Sequence, residues 1–420
     1  MFALVDCNNF FVSCERVFHP SLRFKPVVVL SNNDGCAISR SNEAKVLGIA
    51  MGAPIFQCAG VVQQHNVTVF SANFVLYGDM SHRVMSVLSE FTPRLEVYSI
   101  DEAFLSLEGL EPSALDAVAR QIRAGVKQQT GIPVCVGLAP TKTLAKIANH
   151  IAKNHKEMEG VFLFQDEETM NAWLQKTPVD DVWGIGKAKA GLLERHGIHN
   201  ALDLKNAPDQ WIQKHLTVMT LRTVLELRGI ACLALEEIQP DKKAICTSRT
   251  FGVEVKNFSE MKEAVAAYVS RSAEKLRDQN SLAGYIQVFI ETNRFKETPY
   301  YRNAAGVDLS PPDAYTPRLI ATADHLLKKI FRDGFSYKRC GVILSDFVPQ
   351  TREPRDLFEA QYQGSDRQRL MEVMDQYNRR AHTGKLFFAA EGLGKSWSMK
   401  QAHRSKRFTT CWDELLEILV

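Results

Sequence analysis

The sequence predicts a multidomain α+β protein, and three patterns along the chain support this fold class. Residues 1–168 have the order strand, helix, hairpin, helix, strand when a segment around 25–70 is set aside, which is the split βαβ plan of a ferredoxin-like sheet. Residues 165–235 are predicted to be helical, with glycine-rich turns. Residues 246–347 alternate strands and helices again, which predicts a second small sheet with two helices.

Length and composition are those of an ordinary globular chain. The 420 residues are 45% apolar and 24% charged, which suits about two to four domains. Because the net charge is only +3, any nucleic-acid surface must be local. The nine cysteines include no CxxC pair and favour reduced intracellular thiols over a disulfide framework or a zinc site. The N-terminus lacks the features of a signal peptide and no apolar run reaches membrane-span length, so we expect a soluble, cytoplasmic protein with no membrane partner.

The first sheet is predicted from short apolar runs and turn residues. Residues 1–6 form a buried strand that ends in Asp6, and Asn8 or Asn9 is expected to cap a helix at 10–17. A helix at 40–47 is expected to end at Gly48. The other elements predicted here are strands at 26–30, 134–138 and 160–164, a hairpin at 95–107, and helices at 79–90, 115–130 and 141–153.

The second sheet and the tail follow from the same reasoning. Pro349 and Pro354 interrupt a polar stretch at 349–367, which predicts a linker, and the tail beyond it contains an apolar patch at 386–390. The elements predicted before the linker are strands at 246–255, 284–291, 300–308 and 340–347, and helices at 261–278 and 317–331.

Two adjacent carboxylates, Asp101 and Glu102, interrupt the apolar hairpin in the stretch YSIDEAF. A solvated turn would explain the pair, and a helix cap would explain Asp6. On the ferredoxin-like plan, however, all three carboxylates come to one edge of one sheet, where they repel unless a cation binds them. Mg²⁺ takes oxygen ligands, and two such ions can promote phosphoryl transfer. The pattern therefore indicates a magnesium site.

Basic and aromatic residues flank these acids. Ser39, Arg40 and Lys45 cluster at the predicted start of a helix after a glycine turn, and Lys153 follows another helix. Each is alone consistent with a surface charge, but together they offer counter-charges for a triphosphate. Phe11 follows Asp6 closely enough to pack under a sugar and exclude a 2′-hydroxyl. Its neighbour Phe10 is predicted to be a core residue.

A helix-hairpin-helix pattern begins at Val182, in the stretch VWGIGK. Gly184 and Gly186 would let backbone N–H groups reach a DNA phosphate without interference, and Lys187 and Lys189 add positive charge. Such contacts do not depend on base sequence. The alternative is a glycine-rich turn between two packed helices.

The motifs described so far match those of a known protein family, and the match covers nearly the whole chain. The chain resembles Y-family DNA polymerases, and most closely the UmuC type of bacterial catalytic subunit. The stretches that carry the resemblance, in family order and spacing, are MFALVDCNNFFVSCE, VVVLSNNDGCAISRSNEAK, YSIDEAF, GLAPTKTLAKIANHIAK, PVDDVWGIGK, TSRTFG, KLFFAAEGL and RFTT.

The resemblance implies an architecture and a set of site residues. The implied domains are a palm at 1–24 and 71–168, fingers at 25–70, a thumb at 169–238, a little finger at 243–348, and a C-terminal linker and partner-binding region at 349–420. The implied metal ligands are Asp6, Asp101, Glu102 and the backbone carbonyl of Cys7. The implied nucleotide-binding residues are Asn9, Phe10, the sugar-discriminating Phe11, Ile38 above the nascent base pair, and Ser39, Lys45 and Lys153 around the triphosphate.

The chain departs from the family pattern at three places. Asn42 and Lys45 stand where the wider family often has Tyr and Arg, although the UmuC type also has Lys. Phe11 stands where UmuC-type chains often have Tyr. The family's clamp-binding peptide keeps only its final Leu357 and Phe358 here.

The resemblance implies an error-prone, template-directed DNA polymerase for translesion synthesis in an SOS-type response of a bacterial cell. Its implied substrates are primed template DNA and dNTPs, with Mg²⁺ as cofactor. Its implied partners are a processed UmuD-type dimer, a RecA-type recombinase filament and a sliding clamp. Two other functions remain open from the residues alone. A non-catalytic DNA-binding scaffold would not need the acidic triad, and a nucleotide cyclase would not bind duplex DNA.

Overall fold

The computed structural model describes residues 1–238, 240–352, 364–380 and 385–417. The chain divides into two compact units. None of the helices in the described ranges is long and apolar enough to cross a membrane. The first unit takes in Met1–Leu30, Cys36–Gln239 and Arg404–Val420, and the second takes in Ser31–Gly35 and Pro240–His403.

The first unit begins with alternating strands and helices and continues with helices alone. Its elements are β1 Phe2–Cys7, α1 Phe10–Phe18, β2 Val27–Leu30, β3 Ala37–Arg40, α2 Asn42–Val46, α3 Ala59–Gln64, β4 Thr68–Ser71, α4 Phe74–Ser89, β5 Leu95–Val97, β6 Glu102–Ser106, α5 Leu115–Thr130, β7 Val134–Ala139, α6 Lys142–Asn154, β8 Val161–Leu163, α7 Glu167–Lys176, α8 Lys187–Glu194, α9 Ala201–Asn206, α10 Asp209–His215 and α11 Val218–Leu227.

The central sheet of this unit has the strand order β5-β6-β1-β7-β8. Strand β1 pairs antiparallel with β6 and β7, and β8 runs parallel to β7 at the edge. Strands β5, β6, β1 and β7 are arranged as in a ferredoxin-like sheet. The predicted plan is therefore confirmed, with β8 as an additional edge strand.

Successive side chains of β1 and β6 point to opposite faces of this sheet. Val5 belongs to the core that includes α1, α4 and α5, whereas Leu4 and Phe104 belong to the core that includes α6. Asp6 lies two residues after Leu4, Glu102 lies two residues before Phe104, and the strand register pairs the two acids. Both carboxylates are therefore on the α6 face of the sheet.

Two further parts complete the first unit. Strands β2, β3 and β4 form a small sheet with the order β3-β2-β4, whose own core includes Val28, Leu30 and Ile49. Helices α7 to α11 pack into the same core as α6, through residues such as Leu174 and Leu204. The predicted helical region is therefore continuous with the core under the main sheet.

The second unit is a four-stranded antiparallel sheet with helices, as predicted. Its strand order is β11-β10-β12-β9, and its core includes Leu276, Ile286, Leu327 and Val342, all of which are fully buried. The tail adds Trp397, which is buried against Tyr268. The elements of this unit are β9 Ile245–Val255, α12 Phe258–Asp278, β10 Ser281–Thr292, β11 Arg302–Asp313, α13 Thr316–Ile330, β12 Tyr337–Pro349 and α14 Gly364–Arg380.

Three predictions of local structure in the first unit were wrong. The helix predicted at 40–47 begins only at Asn42, and Arg40 ends a strand instead. Asn9 stands at the predicted N-cap position of α1, but its backbone is left-handed with φ 47° and its side chain accepts no capping bond; its amide donates to Asn42 Oδ1 at 3.1 Å. Helix α4 begins at Phe74, five residues before the predicted start, since Asn73 caps it there.

The C-terminal region also differs from its prediction as a linker and tail. Part of the linker and both clamp-binding candidates, Leu357 and Phe358, lie outside the described residues. Helix α14 was not predicted. Residues from Arg404 onward group with the first unit rather than the second. The five domain boundaries themselves stay a prediction.

Candidate active site

Ser99 organises the acidic turn between β5 and β6. Its hydroxyl donates to Asp101 Oδ1 at 2.6 Å and accepts from the backbone N–H groups of Asp101 and Glu102 at 3.2 and 3.1 Å. The Asp101 carbonyl in turn accepts from the Cys7 N–H at 2.8 Å. These short-range bonds hold the acidic pair against the end of β1, as the hairpin prediction requires.

Helix α6 supplies a cation to each carboxylate on its face of the sheet. Lys153 Nζ donates to Asp6 Oδ1 at 2.8 Å, and Lys146 Nζ donates to Glu102 Oε2 at 2.8 Å. Burial raises the pKa of Asp6, while the Lys153 charge opposes that rise and the charges of Glu102 and Asp101 add to it. The Asp6 carboxylate is thus partly dry and depends on a nearby cation to stay ionised.

Lys146 is also enclosed by aromatic rings. Its ammonium nitrogen lies 4.4 Å from the ring centre of Tyr98 and 5.5 Å from that of Trp183. The Trp183 indole N–H donates to the Tyr98 hydroxyl at 3.1 Å, which fixes the two rings relative to each other. Cation–π attraction therefore helps to hold Lys146 beside Glu102.

A cavity of about 270 Å³ brings together most of the predicted nucleotide-binding residues, and we call it the Lys45 cavity. Because Asp101 precedes Glu102 on the hairpin, it can reach this cavity although Glu102 faces α6. The residues that line it are Cys7, Asn9, Phe10, Phe11, Ile38, Ser39, Arg40, Lys45, Met51, Asp101 and Lys153.

The Lys45 cavity is strongly cationic. Burial lowers the pKa of Lys45, and the charges of Lys153 and Arg40 lower it further. Asn42 Oδ1 accepts from Lys45 Nζ at 3.5 Å and from Asn9, so it links the helix to the residue before α1. Three cations around one cavity make it a favourable place for a polyanion.

A second cavity of about 310 Å³ lies on the α6 face, and we call it the Lys146 cavity. It contains Asp6, Glu102 and Lys146, together with His150 and Trp183. Lys153 lines both cavities. The acidic edge of the sheet is therefore reached from two sides.

The donor set at this edge suits a hard cation, although the side chains are not gathered around one point. Among the residues that the structure describes, no three His, Cys, Asp or Glu side chains are grouped so as to hold one ion. Asp6 and Glu102 are instead held by lysines, and Asp101 is held by Ser99. The three carboxylates nevertheless provide only oxygen ligands, which Mg²⁺ prefers. They fit Mg²⁺ once Lys153 releases Asp6, since Lys146 contacts Glu102 through Oε2.

The two aromatic residues after Asn9 differ in exposure. Phe10 is 3% exposed and packs in the main core, as predicted, although it also lines the Lys45 cavity. Phe11 is only partly buried, and it stacks on Tyr77 with ring centres 4.6 Å apart. Phe11 thus packs one ring face on a neighbour inside the protein and also lines the Lys45 cavity.

The predicted helix-hairpin-helix turn also forms. Gly184 has φ 88°, a conformation that disfavours other residues, and Gly186 precedes the first turn of α8. Gly184, Gly186 and Lys187 are exposed, whereas Lys189 Nζ donates back to the Gly184 carbonyl at 3.0 Å. The backbone at Gly184, Gly186 and Lys187 is therefore exposed, while the Ile185 N–H already donates to the Val182 carbonyl at 3.0 Å.

Sequence reasoning missed several residues of the site, namely Met51, Tyr98, Ser99, Lys146, His150 and Trp183. A signal existed for the α6 group, since Lys146, His150 and Lys153 are spaced as one face of a helix. A signal also existed for Ser99, because Ser two residues before Asp is typical of a side-chain turn. No local pattern indicates Met51 or Trp183.

Comparisons with known proteins agree with this geometry. A model described as the impB/mucB/samB family matches residues 5–150, and the model of that family's C-terminal domain matches residues 242–357. A third model, described as a domain of unknown function (DUF4113), matches residues 368–418.

Solved structures show the class of fold. The Y-family DNA polymerase chimera Dbh-Dpo4(243-245)-Dbh is similar with a TM-score of 0.66 and 22% identity, covering 83% of this chain and 100% of that chain. An insertion ternary complex of Dbh DNA polymerase has a TM-score of 0.53 at 22% identity, with the same 83% and 100% coverage. The fold is therefore that of a Y-family DNA polymerase.

Sequence relatives then show the family within that class. The chain is 44% identical over 421 residues to Protein UmuC of Salmonella typhimurium (strain LT2), covering 100% of both chains. It is 41% identical over 420 residues to Protein SamB of Salmonella typhimurium, covering 99% of each chain, and 27% identical over 365 residues to DNA polymerase IV of Brucella melitensis biotype 1, covering 86% of this chain and 78% of that protein.

The chain belongs to the impB/mucB/samB family, and it is a DNA polymerase of the Y family, UmuC type. The family resemblance seen in the motifs is thereby confirmed. Polymerases of this family are generally metal-dependent.

Proposed function

We propose that this polymerase adds dNTPs to a primer across damaged template bases, with Asp6, Asp101 and Glu102 as its catalytic carboxylates. The observation that carries the proposal is the Lys45 cavity. It places Phe11, Ser39, Lys45 and Lys153 around a space that also contains Asp101. Both sides of the acidic edge are accessible, so an incoming nucleotide on one side can meet a primer end on the other.

The triphosphate would bind to the cations of the Lys45 cavity. Lys45 and Lys153 line a common space, where burial first and then the charges of Lys153 and Arg40 lower the pKa of Lys45. A bound polyanion would offset these positive charges. Ser39, whose Oγ accepts from the Val12 N–H at 3.4 Å, is fixed at the floor of the same space and could donate to a phosphate oxygen.

Asp6, Asp101, Glu102 and the Cys7 carbonyl would hold Mg²⁺. Bound there, Mg²⁺ would supply charge neutralisation for the phosphates and lower the pKa of the primer 3′-hydroxyl. Lys153 now holds Asp6, so it would exchange that carboxylate for a phosphate oxygen when substrate binds. Lys146 would remain beside Glu102 and orient it, because the rings of Tyr98 and Trp183 confine its ammonium.

Phe11 would select the sugar. Its ring borders the cavity and is backed by Tyr77, so it cannot retreat into the protein when a 2′-hydroxyl approaches. A deoxyribose would pack against the ring edge, whereas a ribose would collide with it. Asn9, Phe10 and Ile38 complete the lining and would contact the base or sugar.

DNA and partner proteins complete the proposal. The exposed turn with Gly184 and Gly186 would bind a duplex phosphate through backbone N–H groups, with Lys187 and Lys189 adding charge. Family membership supports a processed UmuD-type dimer and a RecA-type filament as partners in a bacterial cytoplasm. A sliding clamp would bind at Leu357 and Phe358.

Primer extension on undamaged and abasic templates, with Mg²⁺ and dNTPs, tests this proposal. Asp101→Asn should reduce extension roughly 100-fold or more, because a neutral amide cannot replace a charged metal ligand. Asp116→Asn, which changes an exposed carboxylate on α5, should extend like wild type. Each protein is assayed alone and with the accessory dimer and recombinase filament. Normal DNA binding without extension by wild type in either set would reject the catalytic role and favour a scaffold.

A further inference from the structure

The C-terminal segment that starts at Arg404 packs on the first unit, although more than 300 positions separate it from its contacts. Phe408 is 6% exposed and stacks on Phe18, with ring centres 4.6 Å apart and an angle of 10° between the planes. His19 contacts the same ring at 5.4 Å. This segment, residues 404–414, is called the C-terminal brace below.

Asn73 connects the brace to helix α4. Its side-chain amide donates to the Ser405 carbonyl at 3.1 Å, to Ser405 Oγ at 3.0 Å and to the Lys406 carbonyl at 3.2 Å. Its side-chain oxygen accepts from the Leu76 N–H at 3.4 Å and caps the helix. One asparagine therefore links the brace to the first turn of α4.

Glu15 forms a second and more buried link. Its side chain is fully buried, and Oε1 accepts from the Ser405 hydroxyl at 2.9 Å and from the Tyr77 hydroxyl at 2.7 Å. Burial raises the pKa of Glu15, while the hydrogen bonds from Tyr77 and Ser405 lower it. Both donors thus bond Oε1 of a buried carboxyl group whose Oε2 has no hydrogen-bond partner, so the loss of either donor is costly.

The chain of contacts ends at the proposed sugar selector. The Tyr77 ring stacks on Phe11 with 17° between the ring planes, and Phe74 contacts Phe11 edge-on with centres 5.8 Å apart. Tyr77 and Phe74 both belong to the first turn of α4, whose cap is held by the brace. A shift of that turn would move the surface against which Phe11 rests.

We propose that the C-terminal brace is a positioning element for sugar selection, in which Ser405 holds Glu15 and Tyr77 so that Phe11 stays rigid. The proposal rests on the proposed role of Phe11 and extends it. The brace lies within residues 368–418, the stretch that the domain of unknown function (DUF4113) matches, and the proposal assigns a task to it.

The Ser405 hydroxyl limits the freedom of the Tyr77 ring. Without the Ser405 hydroxyl, Glu15 loses one of two donors and can turn toward His19, whose Nδ1 lies 3.9 Å from Oε2. Tyr77 would follow its acceptor, and Phe11 could yield to a 2′-hydroxyl. A hydrogen bond to a charged group contributes enough to change a rate ratio about tenfold, and partial compensation leaves about fivefold.

The test is the ratio of kcat/KM for a dNTP to kcat/KM for the matching rNTP, measured with the full chain and its accessory proteins. Ser405→Ala should lower this ratio about fivefold while dNTP extension persists. Ser405→Thr, which keeps the hydroxyl, should retain the wild-type ratio. The matched control is Ser396→Ala, since Ser396 Oγ makes the same kind of bond, to Glu260 at 3.0 Å, on the other unit.

Two further measurements distinguish a failure of the proposed role of Phe11 from a failure of the proposed role of the brace. Phe11→Ala should lower the ratio more than any brace variant, and an unchanged ratio in that variant would reject the role of Phe11 itself. A reduced ratio in Phe11→Ala with an unchanged ratio in Ser405→Ala would overturn the brace alone. Hydrogen exchange over residues 73–80 should be faster in Ser405→Ala than in wild type. This measurement does not require polymerase activity, so it also applies to an inactive preparation. An unchanged exchange rate there would overturn the proposal.

Discussion

At the scale of single residues, the Lys153 ammonium is placed for two roles, to bond Asp6 and to bind a phosphate. Its ammonium donates to Asp6 and lines both cavities beside the acidic edge. Burial lowers the pKa of Lys153, but the charge of Asp6, its hydrogen bond and the charges of Cys135 and Asp101 together outweigh burial, and the net pKa is raised. The lysine therefore stays charged at neutral pH, and it is available both to protect Asp6 and to bind a phosphate.

Lys153→Met tests these two roles. Removing the ammonium should raise KM for dNTPs about tenfold or more, since a charge-assisted phosphate contact is lost, and should change kcat less. Steady-state single-nucleotide insertion measures both constants. Lys156→Met, three residues further and exposed, is the control and should leave KM unchanged. A fall in kcat with constant KM would instead place Lys153 in the chemical step.

At the scale of an element, the two glycines of the helix-hairpin-helix turn have different roles: Gly184 is needed for folding, and Gly186 for binding. A Cβ on Gly184 would lie 3.3 Å from Thr223 Oγ1 on a backbone with φ 88°, so this glycine is needed for the fold. A Cβ on Gly186 would have no heavy atom within 4 Å. The fold therefore tolerates a side chain at position 186, and we expect such a substitution to affect only ligand binding.

Gly186→Ala should therefore weaken DNA binding without unfolding the protein. The added methyl group stands beside the N–H groups that would contact phosphate, and we expect about a fivefold to tenfold rise in Kd for primed duplex. Fluorescence anisotropy measures binding, and denaturant unfolding checks stability. Gly191→Ala, inside α8 and also with no atom within 4 Å, should keep DNA affinity and stabilise the helix by up to about 1 kcal/mol. Equal Kd values for both variants would exclude this turn from the DNA interface.

At the scale of the whole molecule, the two units have separate hydrophobic cores. Ile122 is fully buried in the first unit, in the core that includes α1, α4 and α5, and Leu276 is fully buried in the core of the second unit. Each core contains sheet and helix residues from its own unit. The brace makes the first unit depend on residues from both ends of the chain, because Phe408 belongs to its core.

Calorimetry should therefore resolve two thermal transitions. Ile122→Ala and Leu276→Ala each remove a buried side chain, which destabilises a core by about 2–5 kcal/mol. Ile122→Ala should lower the Tm of one transition, and Leu276→Ala should lower that of the other. Deletion of residues 404–420 should lower the same transition as Ile122→Ala. A single transition that both substitutions shift equally would contradict separate folding of the units.

The accuracy of the sequence-based predictions follows the range of the interactions that form each element. Helix α5 has the predicted bounds, 115–130, since its apolar spacing and Gly131, with φ 75°, are local signals. Strand β3 was missed because four residues after a turn show too little alternation to be recognised. The start of α4 was wrong because its cap, Asn73, has no acidic partner in the next turn and is instead held by Ser405 and Lys406 from the far end of the chain.

The sequence by itself determined the sheet plan, the acidic hairpin, the glycine turn and the family, because periodicity, turn residues and motif order are recorded in short stretches. The tertiary structure alone decided that Asp6 and Glu102 face α6 while Asp101 lines the Lys45 cavity, since strand register and pleat settle the face of each side chain. It alone also decided that Ser405 reaches Glu15, a contact across 390 positions. Contacts of that range depend on how the finished cores pack, and no local pattern encodes them.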